Sequence, residues 1–432
     1  MTEPSTEQHA APGNDHRWNR RRLRSNNEWL LLELLRTAGP TSRAQLARDS
    51  GLSKPTVSTA LAALEQAGLV REAGTVAPDR GRIAVLYEAD PRAGHVLGVD
   101  IGRAWLRLAV ADLSGTVVAR TDVRNRGRSG GAVARAVLQA AEEVTAQAGL
   151  RPEDVVEAVV GTPGVFDERT DRVRYAGNLP GWGRSGLIAG MRQGLGTSLT
   201  VHNDANLAAI GEYAVGAGVG SRLFLYILIG TGLGMGVVAD GELFRGAHGA
   251  AGEIGFLPLL GAGAGGDPAS VPAAGAGAGA GSLPVLTEQP QEGLPRRGML
   301  ESAVSGDAVV RAARELGMAP SGPLTAKAVF DAARSGTPAA VAAVRQEAQR
   351  LAHVVAAVSS VLDPDLVVLG GGLGHSADLL LRDVEETLHR LTPLRPRVAA
   401  SALGDDAVLL GAIATALRTA RPLIFDRRTG EP

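Results

Sequence analysis

The residues of this 432-residue chain best suited to chemistry sit in short polar runs between apolar ones. His248 and Glu253 stand in HGAAGEIG, among small residues that let the backbone approach a ligand closely. Asp204 follows Asn203 in VHNDANLAAIGEY, where a strand pattern gives way to a helix pattern and a carboxylate can take the proton of a hydroxyl. Asp100 and Gly102 end the apolar run VLGVDIG. A carboxylate followed by a glycine at such a strand-to-strand turn can place an anion beside a metal and turn backbone N–H groups toward phosphate. In FLYILIGTGLGMGVVADGEL, Gly230, Thr231 and Gly232 form a candidate phosphate cradle between two apolar strands, while Gly371 and Gly372 leave room for an adenosine against the backbone. Asn178 occupies a turn in GNLPGW. Each has an ordinary structural use as well: Asp204 as a helix cap, the glycines as a hairpin and a helix entry.

The elements around these residues alternate. After EADPRAGH come three strand patterns, the helix GAVARAVLQAAEEVTAQAG, the strand VEAVVGTPGVFD and further helix–strand alternation, which predicts a layered α/β body. The stretch TPAAVAAVRQEAQRLAHVVAAVSSVLD carries Arg345, Glu347, Arg350 and His353, so it reads as a buried amphipathic helix and no membrane span is expected. In front of the body, NEWLLLELLRT predicts a helix over Asn27–Thr37. SRAQLARDSG predicts a second, with Leu46 and Ala47 inward and a turn at Gly51. A third begins at Ser53 as N-cap, tolerates Pro55 in its first turn and buries Val57, Leu61 and Leu64. Lys54, Thr56, Ser58 and Thr59 fall on its other face, as a recognition helix in the major groove requires. LVREAGTVAPDRGRIAVLYEAD then predicts a hairpin wing carrying Arg71, Arg80 and Arg82. With Arg43 at the second helix, these are the candidate contacts to double-stranded DNA; the plainer reading is a small helical protein-interaction domain.

Composition narrows the class. A chain of this length divides into two or three domains. Aromatics are 3% and glycines number 57, so cores must be built from Ala, Val and Leu. A net charge of −1 hides a basic run, Arg17 to Arg24, ending a segment 1–25 that reads as a disordered arm. The absence of cysteine excludes disulfides, thiolate catalysis and Cys-ligated zinc, and residues 1–22 hold no signal-like apolar run, so a cytoplasmic location is expected.

Taken in order, Asp100-Ile-Gly, GTPG at 161–164, GNLPGW, NDAN at 203–206, GTGLGMG, HGAAGEIG, GMLE at 298–301 and the GGG at 370–372 resemble the ROK family, whose members are sugar kinases or sugar-responsive repressors. The resemblance covers about residues 95–420, and the segment before it resembles the winged helix of the repressor branch. It implies an α/β chain: an N-terminal winged helix-turn-helix (26–90), then a two-lobed actin-like ATPase fold (91–421) with a sugar in its cleft, then a tail (422–432). It implies sugar-hydroxyl contacts from Asn178, Asn203, Asp204, Glu253 and Glu301, with Asp204 as the base in the kinases.

Two departures bear on activity. The family's GEIG is usually followed by a histidine that binds zinc with three cysteines of a CxCGxxGC loop; here Phe256 and Met299 stand at the first and last of those positions, and a Gly/Ala-rich stretch (261–297) replaces the loop. No zinc, and no other resident cofactor, is expected, since His248 alone makes no tetrahedral site. Kinases of the family continue DIGGT where this chain reads DIGRAW, putting Arg103 in place of a glycine and Ala104 in place of a hydroxyl. The expectation is a sugar-responsive transcriptional regulator, a repressor of carbohydrate uptake or metabolism genes, binding operator DNA as a homodimer or homotetramer with a sugar or sugar phosphate as effector. The alternatives are an ATP-Mg-dependent sugar kinase carrying a DNA-binding head, and a regulator that binds a partner protein through the Gly/Ala stretch.

Overall fold

In a computed structural model of the chain, residues 20–77, 83–176, 179–230, 232–257, 298–319 and 322–430 are described. They divide into two compact units, Met1–Gly94 with Arg421–Pro432, and His95–Ala420.

The first unit contains α1 (Arg20–Ala38), β1 (Thr41–Ser42), α2 (Arg43–Ser50), α3 (Lys54–Gln66), β2 (Val70–Val76) and β3 (Ala84–Ala89). Local chemistry sets these boundaries. Ser42 caps α2 by accepting the N–H of Gln45, and Gly51 closes the helix at a φ of 68°. Ser53 caps α3 by accepting the N–H of Thr56, with Pro55 in the first turn. Leu31, Leu32 and Leu35 of α1, Leu46 of α2 and Val57, Leu61 and Leu64 of α3 are buried. The strands form an antiparallel sheet ordered β1-β3-β2, a winged helix-turn-helix. Three expectations need correction. Helix α1 begins at Arg20, so residues 20–25 are helical and not part of an arm. Ala47 is only half-buried. Residues 422–429 are no tail: they complete the C-terminal helix Ala407–Thr429. Phe425 is buried and meets Trp29 edge-on with ring centroids 5.1 Å apart, and Arg428 donates to the carbonyls of Ala67, Gly68 and Ala93.

The second unit has two sheets with similar layouts. In the first, β4 (His95–Ile101), β5 (Trp105–Asp112) and β6 (Val117–Arg124) form an antiparallel meander. Helix α4 (Gly130–Gln147) leads to β7 (Val155–Thr162), parallel to β4; β8 (Val165–Asp167) and β9 (Arg172–Arg174) form a hairpin; α5 (Leu187–Leu195) leads to β10 (Ser198–Asn203), parallel to β7. The order is β10-β7-β4-β5-β6. After α6 (Asp204–Val215), the second sheet repeats the plan: β11 (Leu223–Ile229), β12 (Leu233–Ala239) and β13 (Glu242–Leu243) are antiparallel. Helices α7 (Met299–Ala303), α8 (Gly306–Glu315), α9 (Ala326–Arg334) and α10 (Pro338–Leu362) precede β14 (Leu366–Gly370), parallel to β11; α11 (Ala377–Leu391) precedes β15 (Arg397–Ala400). Covered on both faces, the central strands need nearly continuous apolar sequence, as in LFLYILI of β11 and LVVL of β14. Each sheet has its own core, Val99, Val137 and Val160 in the first, Ile227, Leu351 and Leu369 in the second. Among the described residues, one segment, Gly404–Thr429, has the length and apolar character to cross a membrane, and 61% of its most apolar window is buried within the protein.

Candidate functional site

A cleft of about 330 Å³ takes its walls from both sheets of the second unit. Asn203 ends β10 and is the N-cap of α6: its Oδ1 accepts the N–H of Asn206 at 3.2 Å and its Nδ2 donates to the carbonyl of Gly164 at 3.2 Å. The capping task therefore falls to Asn203. Asp204 is left as the first helical residue, facing the cleft and accepting the N–H of Ala205 at 2.8 Å. Burial raises its carboxyl to about 6, against the partial relief of that hydrogen bond.

Glu253 reaches the cleft from the second sheet. Gly252, at a φ of 91°, packs so tightly on Met235 that any Cβ would collide with its carbonyl, and the single turn Ile254–Phe256 begins directly after Glu253. Gly298 lies equally close to Gly255, which seats α7 against that turn and sets the Cβ of Glu301 3.3 Å from where a Cβ on Gly255 would stand. Burial, with the charges of Asp204 and Glu301 adding to it, raises Glu253 to about 7. Asp204, Glu253 and Glu301 are thus brought together as expected, all on the cleft wall with Asn203.

Gly102, Gly230, Gly232, Gly371 and Gly372 also line the cleft; Thr231 and Asn178 lie outside the described residues. Asp100 departs from expectation. Its buried carboxylate accepts from Arg107 Nη1 at 3.1 Å, and Arg107, not Asp100, is on the wall. Arg107 Nη2 also donates to Asp405 at 2.9 Å, and Asp405 pairs with His375 Nε2 at 2.8 Å. Burial raises Asp100 to about 7 despite Arg107, with Asp204 and Asp405 adding to the rise. Sequence reasoning passed over Arg107, Trp105 and Tyr175, all lining residues. Arg107 had one signal, a lone charge inside an apolar strand; Tyr175 had none.

Neither group that the family pattern brings to mind finds its full ligand set. For zinc, Phe256 and Met299 present a ring and a thioether where the pattern has histidine and cysteine, and no group of three or more His, Cys, Asp or Glu among the described residues is placed to hold a metal ion. For a nucleotide, the glycine backbones and the cations of Arg103 and Arg107 are present, while the carboxylate of Asp100 is committed to Arg107. His248 is exposed.

On the first unit, Lys54, Ser58 and Thr59 are exposed along α3, and Thr56 is partly buried with its hydroxyl 2.8 Å from Ser53 Oγ. The Arg43 guanidinium lies over the Tyr87 ring, 4.8 Å from its centre, and donates to the Tyr87 hydroxyl. Arg71 pairs with Glu88 at 2.7 Å. Arg80, Arg82 and the Gly/Ala-rich stretch lie outside the described residues.

Comparison with known proteins divides the chain at the same place. Residues 96–419 match the ROK family and residues 25–72 the MarR family. A glucokinase of Streptomyces coelicolor is 30% identical over 74% of this chain and 96% of its own length. A xylose repressor of Caldicellulosiruptor bescii is 24% identical over 91% of this chain and 95% of its own. A solved ROK family transcriptional regulator, a homolog of the E. coli MLC protein, superposes with a TM-score of 0.70 at 21% identity, over 95% of this chain and all of the other, a likeness that concerns the fold. The architecture is a winged helix-turn-helix followed by the actin-like ROK fold, and the chain belongs to the ROK family.

Proposed function

We propose that this protein is a sugar-responsive, DNA-binding transcriptional regulator, a repressor of genes for carbohydrate uptake or use, whose cleft serves sensing and not phosphoryl transfer. The observation that carries the reading is a division within the cleft. The hydroxyl-binding side keeps Asp204, Glu253 and Glu301 together, whereas on the phosphate side Asp100 is paired with Arg107. Phosphoryl transfer depends on positioning and charge compensation, so a carboxyl group held on Arg107 and off the cleft wall handicaps turnover while leaving hydroxyl recognition intact. The exposed face of α3, with Lys54, Ser58 and Thr59, supplies the DNA-reading surface, and the xylose repressor relative extends through this head. Operator DNA and a sugar or sugar phosphate are the partners of this reading, bound by a homodimer or homotetramer in the cytoplasm.

A sugar can act on DNA binding only through different affinities for the DNA-bound and free states. Full-length protein is first used to select its target from random duplex DNA, and binding is then followed by fluorescence anisotropy with hexoses, pentoses and N-acetylated sugars. The expected result is specific binding that one sugar changes, and an Asp204→Ala variant that binds the DNA equally well with that response abolished. An unchanged response in the variant would remove the cleft from the mechanism.

The second reading is an ATP-dependent sugar kinase with a DNA-binding head. It is favoured by the retention of Asp204 with a carboxyl near 6, suited to a general base, and by the glucokinase relative. ADP release with Mg-ATP and a bound sugar, lost in Asp204→Asn, would establish it; no turnover with a sugar that demonstrably binds would leave the sensor.

A further inference from the structure

Two aromatic side chains at the cleft have no task in the reading above. Tyr175 and Phe256 line the cleft with Asp204, Glu253 and Glu301, yet they are 53% and 48% exposed, whereas Asp204 and Glu253 are only partly accessible. The carboxylates lie deep and the rings stand at the rim. The rings meet edge to face, with centroids 5.7 Å apart and planes at 63°, and about half of each residue's surface stays accessible. Phe256 is carried on the same turn as Glu253, its N–H donating to the Glu253 carbonyl at 3.2 Å, so ring and hydroxyl acceptor are placed by one piece of backbone. Tyr175 follows β9 at a φ of 59°, in the left-handed region that a bulky residue adopts only where its surroundings impose it, and such outliers concentrate at ligand sites.

We infer that Tyr175 and Phe256 form an aromatic subsite for a second, glycosidically linked ring, so that the preferred ligand is a glycoside and not a free monosaccharide. The inference rests on the reading of the cleft as a sugar site. A pyranose has polar edges of hydroxyls and apolar faces of C–H bonds. The deep carboxylates take the edges of the first ring, and the rim aromatics take the face of the next. Phe256 stands where the family pattern has a zinc-binding histidine, so a position that otherwise stiffens the sugar site becomes part of its contact surface.

The test is calorimetric titration of the full-length protein with glucose, xylose and N-acetylglucosamine, each also as methyl glycoside, phenyl glycoside and the corresponding disaccharide. For the sugar that binds, the phenyl glycoside or the disaccharide is expected to bind about tenfold more tightly than the methyl glycoside. Gain from both assigns the subsite to any apolar-faced ring, and gain from one alone identifies a sugar or an aryl group as its occupant. Tyr175→Asn, which tolerates the same backbone, and Phe256→Leu, which keeps apolar bulk, should each bring the larger ligands to within about twofold of the methyl glycoside without changing the affinity of the latter. Equal affinities in the unmodified protein overturn the proposal, as do variants that weaken methyl and phenyl glycosides alike. Binding of monosaccharides without any gain sinks the subsite alone, while no binding by any member of the panel sinks the subsite and the free-sugar reading together.

Discussion

Three carboxyl groups in and behind the cleft share one electrostatic condition: Asp204 is raised to about 6 and Asp100 and Glu253 to about 7, in each case chiefly by burial. The folded protein therefore holds protons that the unfolded chain has released. The stability these groups contribute is complete below their ordinary values near 4 and is lost as pH rises through 6 to 7. Ligand binding acts on the same equilibrium with a definite sign. A sugar hydroxyl that donates to Asp204 or Glu253 favours the ionised form, so binding should release protons near pH 6.5 and affinity should rise from pH 5 to 8. Titration calorimetry in two buffers of different ionisation heat measures this directly, and proton uptake would contradict the role of these groups as acceptors. Asp204 was legible because NDAN couples a cap to the next residue within one turn. The Asp100–Arg107 pair was not, because it depends on the β4–β5 register, which sets these two residues opposite each other across the hairpin.

Among the elements, α10 carries an unusual burden. Its pattern reads as an amphipathic core helix and that is where it lies, but Glu347 is wholly buried on its apolar side, with neither oxygen hydrogen-bonded. Arg350 Nη1 stands 3.7 Å away, too far for a hydrogen bond, and donates instead to the carbonyl of Ala303, while Arg311 donates to that of Ser302. These two arginines hold the end of α7, the helix that presents Glu301. Burial pushes Glu347 up to about 8, with Arg350 opposing, so its contribution to stability is present below about 4.5 and lost as pH rises toward 8. Glu347→Gln, which cannot ionise, should gain stability over the unmodified protein as pH rises, on the order of 4 kcal/mol between pH 4.5 and 8. Denaturant unfolding at the two values checks it, and a constant difference would mean that Glu347 titrates as an ordinary carboxyl. Helical spacing placed α10 correctly; that one of its charges faces inward depends on α8, α9 and α11 packing against it.

At the scale of the molecule, the chain is organised as two units that the order of motifs anticipated, with one reassignment. Residues from Arg421 onward belong with the DNA-reading unit, where Phe425 is 3% exposed against Trp29. Phe425→Ala should therefore destabilise the head, by about 3–5 kcal/mol if the space does not collapse, and leave sugar affinity unchanged. Calorimetric unfolding with a parallel sugar titration separates the two effects, and loss of sugar binding with an intact head would reverse the assignment. Sequence alone determined the two modules, their order and the helix cap at Ser53, because caps, periodicities and glycine turns act within a few residues of one another; the set Asp204, Glu253 and Glu301 was implied by the ROK resemblance, and the fold brings the three to one cleft. Only the tertiary structure decided that Arg107 holds Asp100, that Tyr175 meets Phe256 and that the C-terminal turns complete the head, because those contacts join residues distant in the chain and depend on strand register and on which surfaces pack.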